Sequence, residues 1–224
     1  TIAIIVCGIA AYHYFRIFDS FKAAFVTGAG RGTGTYTQAV GEGFNEGYRY
    51  VDWFLTVPLL LVELIAVLAL ARSVSRRLMM QLVPAAALMI ALGYPGEISG
   101  DNGIRAIFGL LSTIPFLFIL YVLFVQLGKS LERQPVSVRK TLSRLRFLLL
   151  LSWGVYPIAY LLPLLNIAGS DAWVFKQVGY SVADILAKAV YGLIIFYVAR
   201  RKSFEDDAAF AAIEESKDEA PALR

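Results

Sequence analysis

Six long runs of apolar residues, separated by charged or glycine-rich segments, dominate the chain. They cover roughly Thr1–Asp19, Tyr48–Ala71, Met79–Tyr94, Ile104–Leu127, Ser143–Leu165 and Trp173–Arg200. About 20 mostly apolar residues cross the hydrocarbon core of a bilayer as a helix, so each run is expected to span. The third is short for the task, and the sixth is long enough to tilt or to project beyond the bilayer. The pattern predicts an all-α polytopic transmembrane helix bundle over residues 1–202, followed by a polar, acidic tail over 203–224 with room for a short helix. The long segment Ser20–Gly47 carries alternating glycines, Gly28, Gly30, Gly32 and Gly34. Thr33 breaks a G-x-G-x-x-G pattern, and the Gly-Lys-Ser/Thr ending of a P-loop is missing. This segment therefore reads as an ordered turn or β-hairpin rather than a phosphate cradle.

Composition narrows the class. Hydrophobic residues make up 58% of the 224 residues and charged ones 17%, and the mean hydropathy is +0.64. A soluble globular chain has about 45–50% and about 25% respectively. Glycine is aperiodic and proline numbers 8, which argues against collagen-like or disordered structure. The single cysteine, Cys7, excludes an internal disulfide, and with a single histidine it leaves little for a metal site; none is expected. Net charge +4 and pI 9.2 would suggest nucleic acid in a soluble protein. In a membrane protein the position of the charge matters instead, and no nucleic-acid partner is expected. Arg72, Arg76 and Arg77, the six cations between Lys129 and Arg146, and Arg200, Arg201 and Lys202 all fall on one side if every run crosses once. The opposite loops hold Lys22, Arg31, Arg105 and Lys176. The positive-inside rule then predicts a multi-pass protein with a cytoplasmic C-terminus. Thr1 would be cytoplasmic as well, and its run has no basic region of a signal peptide. One further helix is therefore expected upstream, giving seven spans.

An ionisable side chain at mid-span costs about 2.5–3.5 kcal/mol on insertion scales, which makes each one a candidate for function. Four stand out: Lys188, Asp184, Asp52 and, nearer the cytoplasmic end, Glu63. Lys188 lies twelve residues before Arg200, about 18 Å along a helix, too deep for its amine to reach the interface. Asp184 precedes it by four and shares its helix face. Two chemistries fit this pair: a neutralising structural ion pair, or a desolvated nucleophilic amine that forms a Schiff base, with a carboxylate as counterion. Arg49, Asp52, Thr56 and Glu63 share one side of the second run. Asp52 and Glu63 stand about 16 Å apart along the axis, which suits a proton relay; the plain alternative is a Glu63 that only reaches for the interface. His13 is either a packed, hydrogen-bonded residue or a partner that tunes a nearby carboxylate. Trp153, Tyr156, Pro157 and Tyr160 gather beside a proline kink and suit either the wall of a flat apolar ligand or ordinary packing.

Three motifs, in order and spacing, resemble the microbial rhodopsin family. Arg49-Tyr50-Val51-Asp52-Trp53, with Thr56, Pro58 and Glu63, is similar to that family's third helix; Trp153-Gly154-Val155-Tyr156-Pro157 to its sixth; and Asp184-Ile185-Leu186-Ala187-Lys188 to its seventh. The likeness runs from about Ile2 to Arg201 and matches the first visible run to the family's second helix, so the first helix would precede the present chain. The resemblance implies a seven-helix rhodopsin fold with all-trans retinal bound to Lys188 as a protonated Schiff base. It makes Asp52 the proton acceptor, Asp184 a second counterion, Arg49 the organiser of the outer charges and Glu63 the proton donor. Thr56 would orient local hydrogen bonds. Trp53, Trp153, Tyr156, Pro157 and Tyr160 would line the polyene, and Leu60, Met89, Gly93, Ser112, Thr113 and Phe116 match other pocket positions.

The resemblance also discriminates within the family. A carboxylate at Asp52 argues against a chloride pump, and the Asp52, Thr56, Glu63 triplet differs from the Asn, Asp, Gln pattern of sodium pumps. Glu63 and Tyr12-His13-Tyr14-Phe15-Arg16 resemble the bacterial proton pumps, in which the histidine hydrogen-bonds the acceptor carboxylate. Tyr94-Pro95-Gly96-Glu97, the glycine-rich outer loop and Gly109 are similar to the xanthorhodopsin-like group. In that group a glycine at the position of Gly109 opens a window for a carotenoid antenna; the plain alternative is close helix packing. Lys176 stands where archaeal pumps place a glutamate for proton release. The expected function is a light-driven outward proton pump, a transporter rather than an enzyme, in the bacterial inner membrane. A homo-oligomer, pentamer or trimer, is the family expectation. A sensory photoreceptor and a chromophore-free proton-coupled transporter are the alternatives.

Overall fold

The computed structural model describes residues 2–27, 36–38, 43–165 and 170–219. Six helical spans form the bundle. They are α1 (Ile2–Ala24), α2 (Gly47–Leu68), α3 (Arg72–Ile98), α4 (Asn102–Tyr121) with its continuation, α6 (Val136–Leu161) with a 3-10 turn over Leu162–Leu165, and α7 (Ser170–Asp184) with its continuation. Two spans carry a π-helical stretch. Val122–Gln126 joins α4 to the short α5 (Leu127–Leu131), and Ile185–Val190 joins α7 to α8 (Tyr191–Asp206). All six are long and apolar enough to cross a membrane, and the protein is a multi-pass membrane protein.

Helix ends are set by hydrogen bonding, not by the bilayer. The third run, short in hydropathy, belongs to a 27-residue helix that continues through Arg76 and Arg77 at one end and Glu97 at the other. Strand β1 (Phe25–Thr27) pairs antiparallel with β2 (Tyr36–Gln38), with Val26 opposite Thr37. The expected hairpin is therefore present beside the all-α bundle, while its glycines from Gly28 to Gly34 lie outside the described residues. In the acidic tail, α9 spans Ala208–Glu219. Asp207 caps it, its Oδ1 accepting from the backbone N–H groups of Ala209 and Phe210 at 3.0 and 3.1 Å.

α2 is the central element: 56% of its apolar window is buried, against 17% for α1 and 22% for α3. The other helices leave large apolar side chains such as Phe15, Met80, Leu110 and Leu151 exposed, whereas α2 satisfies most of its side chains inside the protein. One face packs Val57, Leu61, Leu64 and Ile65 into the core. Its polar face looks into the bundle, toward α1 and the α7–α8 span. Its last carbonyls, which have no partner within the helix, are taken up from elsewhere. Gln134 Nε2 donates to the Leu68 carbonyl at 3.0 Å, and Lys202 Nζ donates to the Val67 carbonyl and to Gln134 Oε1, both at 2.9 Å. This clasp joins the end of α2, the segment just before α6 and the last turns of α8.

Candidate functional site

The site begins with the sequence of α2. Arg49, Asp52, Thr56 and Glu63 lie on one face and are all buried, Asp52 completely. The π-helical stretch Ile185–Val190 carries Lys188, whose amine makes ion pairs with Asp52 Oδ2 and, at 3.2 Å, with Asp184 Oδ1. The Tyr191 N–H reaches back to the Leu186 carbonyl, as a π turn requires. Asp184 also accepts from Trp53 Nε1 at 2.9 Å, from the Tyr156 hydroxyl at 2.6 Å and from the Tyr14 hydroxyl at 2.8 Å. Arg49 Nη1 stands 3.6 Å from its second oxygen. The buried centre thus balances two cations, Lys188 and Arg49, against two carboxylates, Asp52 and Asp184.

The two carboxylates are held differently. Asp184 is saturated by neighbours from α1, α2 and α6. Asp52 has Lys188 on one oxygen, while its Oδ1 has no hydrogen-bond partner. His13 Nδ1 lies 4.0 Å from that oxygen but donates to the Ile9 carbonyl at 2.9 Å. The expected hydrogen bond from His13 to the acceptor carboxylate is therefore replaced by a turn of its own helix: the histidine faces Asp52 without bonding it. Thr56 likewise donates to the Asp52 backbone carbonyl at 2.7 Å rather than to the carboxylate. Glu63 stands apart toward the clasp end, buried, with Oε2 unpartnered.

On the far side of Arg49 the polar chain continues. Arg49 Nη2 donates to Gln177 Oε1 at 3.0 Å, and Gln177 Nε2 to Glu46 Oε1 at 2.9 Å. Lys176 bridges Glu46 and Glu97 at 2.9 and 2.7 Å. The position read as a substituted release group is thus the cation of a three-residue ionic cluster.

An apolar cavity of about 360 Å³ lies against Trp53 and Tyr156, two of the residues that hold Asp184. Met89 and Gly93 line it from α3, Gly109, Ser112, Thr113 and Phe116 from α4, and Trp153, Pro157 and Tyr160 from α6. The two hydroxyls do not make it polar, because Ser112 donates to the Met89 carbonyl and Thr113 to the Gly109 carbonyl, at 2.8 and 2.7 Å. A Cβ on Gly93 would stand at ordinary contact distance, 3.4 Å, from the Tyr50 ring. A Cβ on Gly109 would fall 2.8 Å from Tyr160 Cε1, and one on Gly96 would collide with the Tyr160 hydroxyl. These two glycines make room for the Tyr160 ring, which is anchored by its hydroxyl donating to the Arg105 carbonyl at 2.8 Å.

The expected lining residues all reach the cavity except Leu60. Leu60 is buried in the core beside it, and its carbonyl accepts from the Tyr191 hydroxyl at 3.1 Å. Sequence reasoning missed Tyr14, Gln177 and the pocket-lining Tyr180. Tyr180 and Gln177 precede Asp184 by four and seven, so they lie on the Asp184 face of α7, and that periodicity could have found them. Tyr14 has no such signal, since its partners are far away in the chain.

A buried lysine between two carboxylates, beside an aromatic slot in a multi-pass helical bundle, defines a microbial rhodopsin. The bacteriorhodopsin-like protein family model matches residues 1–202, and the chain belongs to that family. Among curated proteins it is 31% identical to the green-light absorbing proteorhodopsin of Gamma-proteobacterium EBAC31A08 over 70% of this chain and 62% of that protein. The chain therefore spans less than two thirds of that relative. Among solved structures, a thermophilic rhodopsin matches with TM-score 0.84 and 45% identity, covering 92% of this chain and 81% of that one. Xanthorhodopsin, described as a light-driven ion pump with dual chromophore, matches with TM-score 0.81 and 47% identity over 92% and 80%. The protein is a bacterial type 1 rhodopsin close to xanthorhodopsin.

The charge balance at the centre makes a direct prediction for the ligand-free protein. Removing one member of a buried ion pair leaves the other uncompensated, at about 3–5 kcal/mol. Lys188→Met should destabilise by this order, because Asp52 and Asp184 then face each other without their cation. Adding Asp52→Asn should recover a large part of the loss. Denaturant unfolding of the two variants measures both effects, and wild-type stability in Lys188→Met would contradict the pairing.

Proposed function

We propose that the protein is a light-driven outward proton pump of the bacterial inner membrane, with its C-terminus in the cytoplasm and all-trans retinal held on Lys188. The observation that carries this reading is the Lys188 amine, paired to Asp52 and Asp184 beside an apolar slot walled by Trp53, Trp153 and Tyr156. The cavity's flat aromatic walls, its satisfied hydroxyls and the glycine at position 93 fit a polyene. Retinal bound there as a protonated Schiff base supplies light absorption and an isomerisation that disturbs the contact of the Lys188 nitrogen with its counterions.

The chain's own groups then direct the proton. Asp52 accepts it from Nζ of Lys188, because it touches that nitrogen and has a free oxygen. Asp184 already accepts from three donors and lies beside Arg49, so it stays in place as the second counterion. Arg49 separates the centre from the Gln177, Glu46 and Lys176 network, so release is directed toward that end. Glu63 returns a proton to Nζ of Lys188 from the opposite end, which gives the ordering of donor and acceptor a direction. A buried carboxyl at Glu63 favours a pump over a photosensor, which needs no donor. The likeness to xanthorhodopsin supports a carotenoid antenna beside Gly109 and Tyr160, and the chain is expected to assemble as a pentamer or trimer.

Lys188→Ala should lose the visible absorption band after retinal is added; a retained band would remove Lys188 from its role. Asp52→Asn should shift the band to the red. Glu63→Gln should keep the colour and, in flash photolysis, slow recovery of the starting absorbance, with azide restoring the rate. Unchanged recovery would reject Glu63 as donor. For the antenna, Gly109→Trp should abolish any carotenoid-sensitised band in the action spectrum; persistence of that band would place the carotenoid elsewhere.

A further inference from the structure

At the bundle end that carries the C-terminus, α3 and the π turn with α5 leave a second cavity of about 560 Å³ between them. Ser73 and Arg77 line it from α3; Gln126, Lys129 and Ser130 line it from the opposite span. Spacings of three and four residues put each set on one ridge of its helix. Toward the middle of the membrane the cavity continues over Leu78, Tyr121 and Val125. Tyr121 and Val125 are 53% and 47% exposed, so this floor opens on the lipid side.

Several cations at this end already have protein acceptors. Arg146 donates to the carbonyls of Leu123 and Phe124, Arg139 to that of Gln134, and Lys202 to that of Val67. Arg77 and Lys129 make no hydrogen bond or ion pair with any described residue, yet they share one cavity. No acidic residue lines it, and the exposed Glu132, three residues beyond Lys129, does not pair with it. The polar wall can therefore offer a guanidinium, an ammonium, two hydroxyls and an amide N–H, and it has two fixed positive charges without counter-charge. A phosphate has only acceptors and negative charge, which matches that wall. The apolar floor matches an acyl chain. Basic pockets between spans at the cytoplasmic face hold anionic headgroups in this way.

We propose that this groove binds the headgroup phosphate of an anionic phospholipid, with Arg77 and Lys129 as its two cationic arms and Tyr121 and Val125 under its acyl chain. The site is separate from the Lys188 centre and does not depend on the pumping reading.

The test uses the intact protein purified in mild detergent. It is titrated with phosphatidylglycerol, with phosphatidylcholine of the same chains and with inorganic phosphate, and bound species are counted by native mass spectrometry. Thermal unfolding gives a second readout. Phosphatidylglycerol should be retained at concentrations where phosphatidylcholine is not, and it should raise the unfolding temperature. Arg77→Gln with Lys129→Gln should weaken retention by about fivefold per cation removed. Lys140→Gln with Arg144→Gln removes the same charge from exposed positions outside the cavity and should leave retention unchanged. Lys129→Gln alone, at an exposed side chain, serves if the double variant does not accumulate, and should show the single-cation loss. Equal losses in groove and control variants would reduce the effect to diffuse attraction and overturn the proposal. So would equal retention of phosphatidylcholine, or displacement of phosphatidylglycerol by inorganic phosphate at equal concentration, which would make the groove a free-anion site.

Discussion

The ammonium of Lys188, held between Asp52 and Asp184 inside the bundle, is the contact on which the rest of the structure depends. Taking an ion out of water costs several kcal/mol even after relaxation, and the cost is recovered only when opposite charges and hydrogen bonds surround it closely. That requirement reaches far along the chain. Asp52 must come from α2 and Asp184 from α7, with the intervening π stretch presenting Lys188 to both. Arg49 must add a second cation, because two carboxylates against one ammonium would leave a net buried charge. Trp53, Tyr156 and Tyr14 must spend their donors on Asp184. Six side chains from four helices are thus fixed by one electrostatic demand.

The same demand explains the division between a polar stripe and an apolar slot. Trp53 and Tyr156, which bond Asp184 with their polar tips, also line the cavity. An aromatic side chain with one donor can serve both environments. Ser112 and Thr113 return their hydroxyls to backbone carbonyls and leave the slot greasy. Asp184 is fully bonded and Asp52 has one oxygen free; on the proposed function this difference would make one a fixed counterion and the other the proton acceptor. That asymmetry carries the pumping reading more than the presence of either carboxylate does.

Much of this was legible in the chain. Mid-span charge is costly, so Lys188, Asp184, Asp52 and Glu63 stood out before any geometry, and helical spacing placed them in two facing stripes. The spans were legible because lipid selects apolar side chains, but their ends were not. α3 runs on through Arg76, Arg77 and Glu97, where backbone hydrogen bonding continues after hydropathy has fallen. The π stretches at Val122–Gln126 and Ile185–Val190 have no sequence pattern of their own. Tyr14 meets Asp184 across 170 positions of sequence, and the Lys176 bridge between Glu46 and Glu97 joins three separate elements. Such contacts exist only once the bundle is assembled. His13 shows the converse limit: its position opposite Asp52 was readable, but its ring bonds the Ile9 carbonyl.

The proposed function requires directional proton movement, driven by light, through the Lys188 centre. The most direct measurement is the pH of an unbuffered suspension of cells that express the protein with retinal, recorded in light and dark with and without a protonophore. The account predicts acidification of the medium on illumination, abolished by the protonophore. A coloured, membrane-inserted protein that leaves the pH unchanged, or that alkalinises the medium, would contradict it.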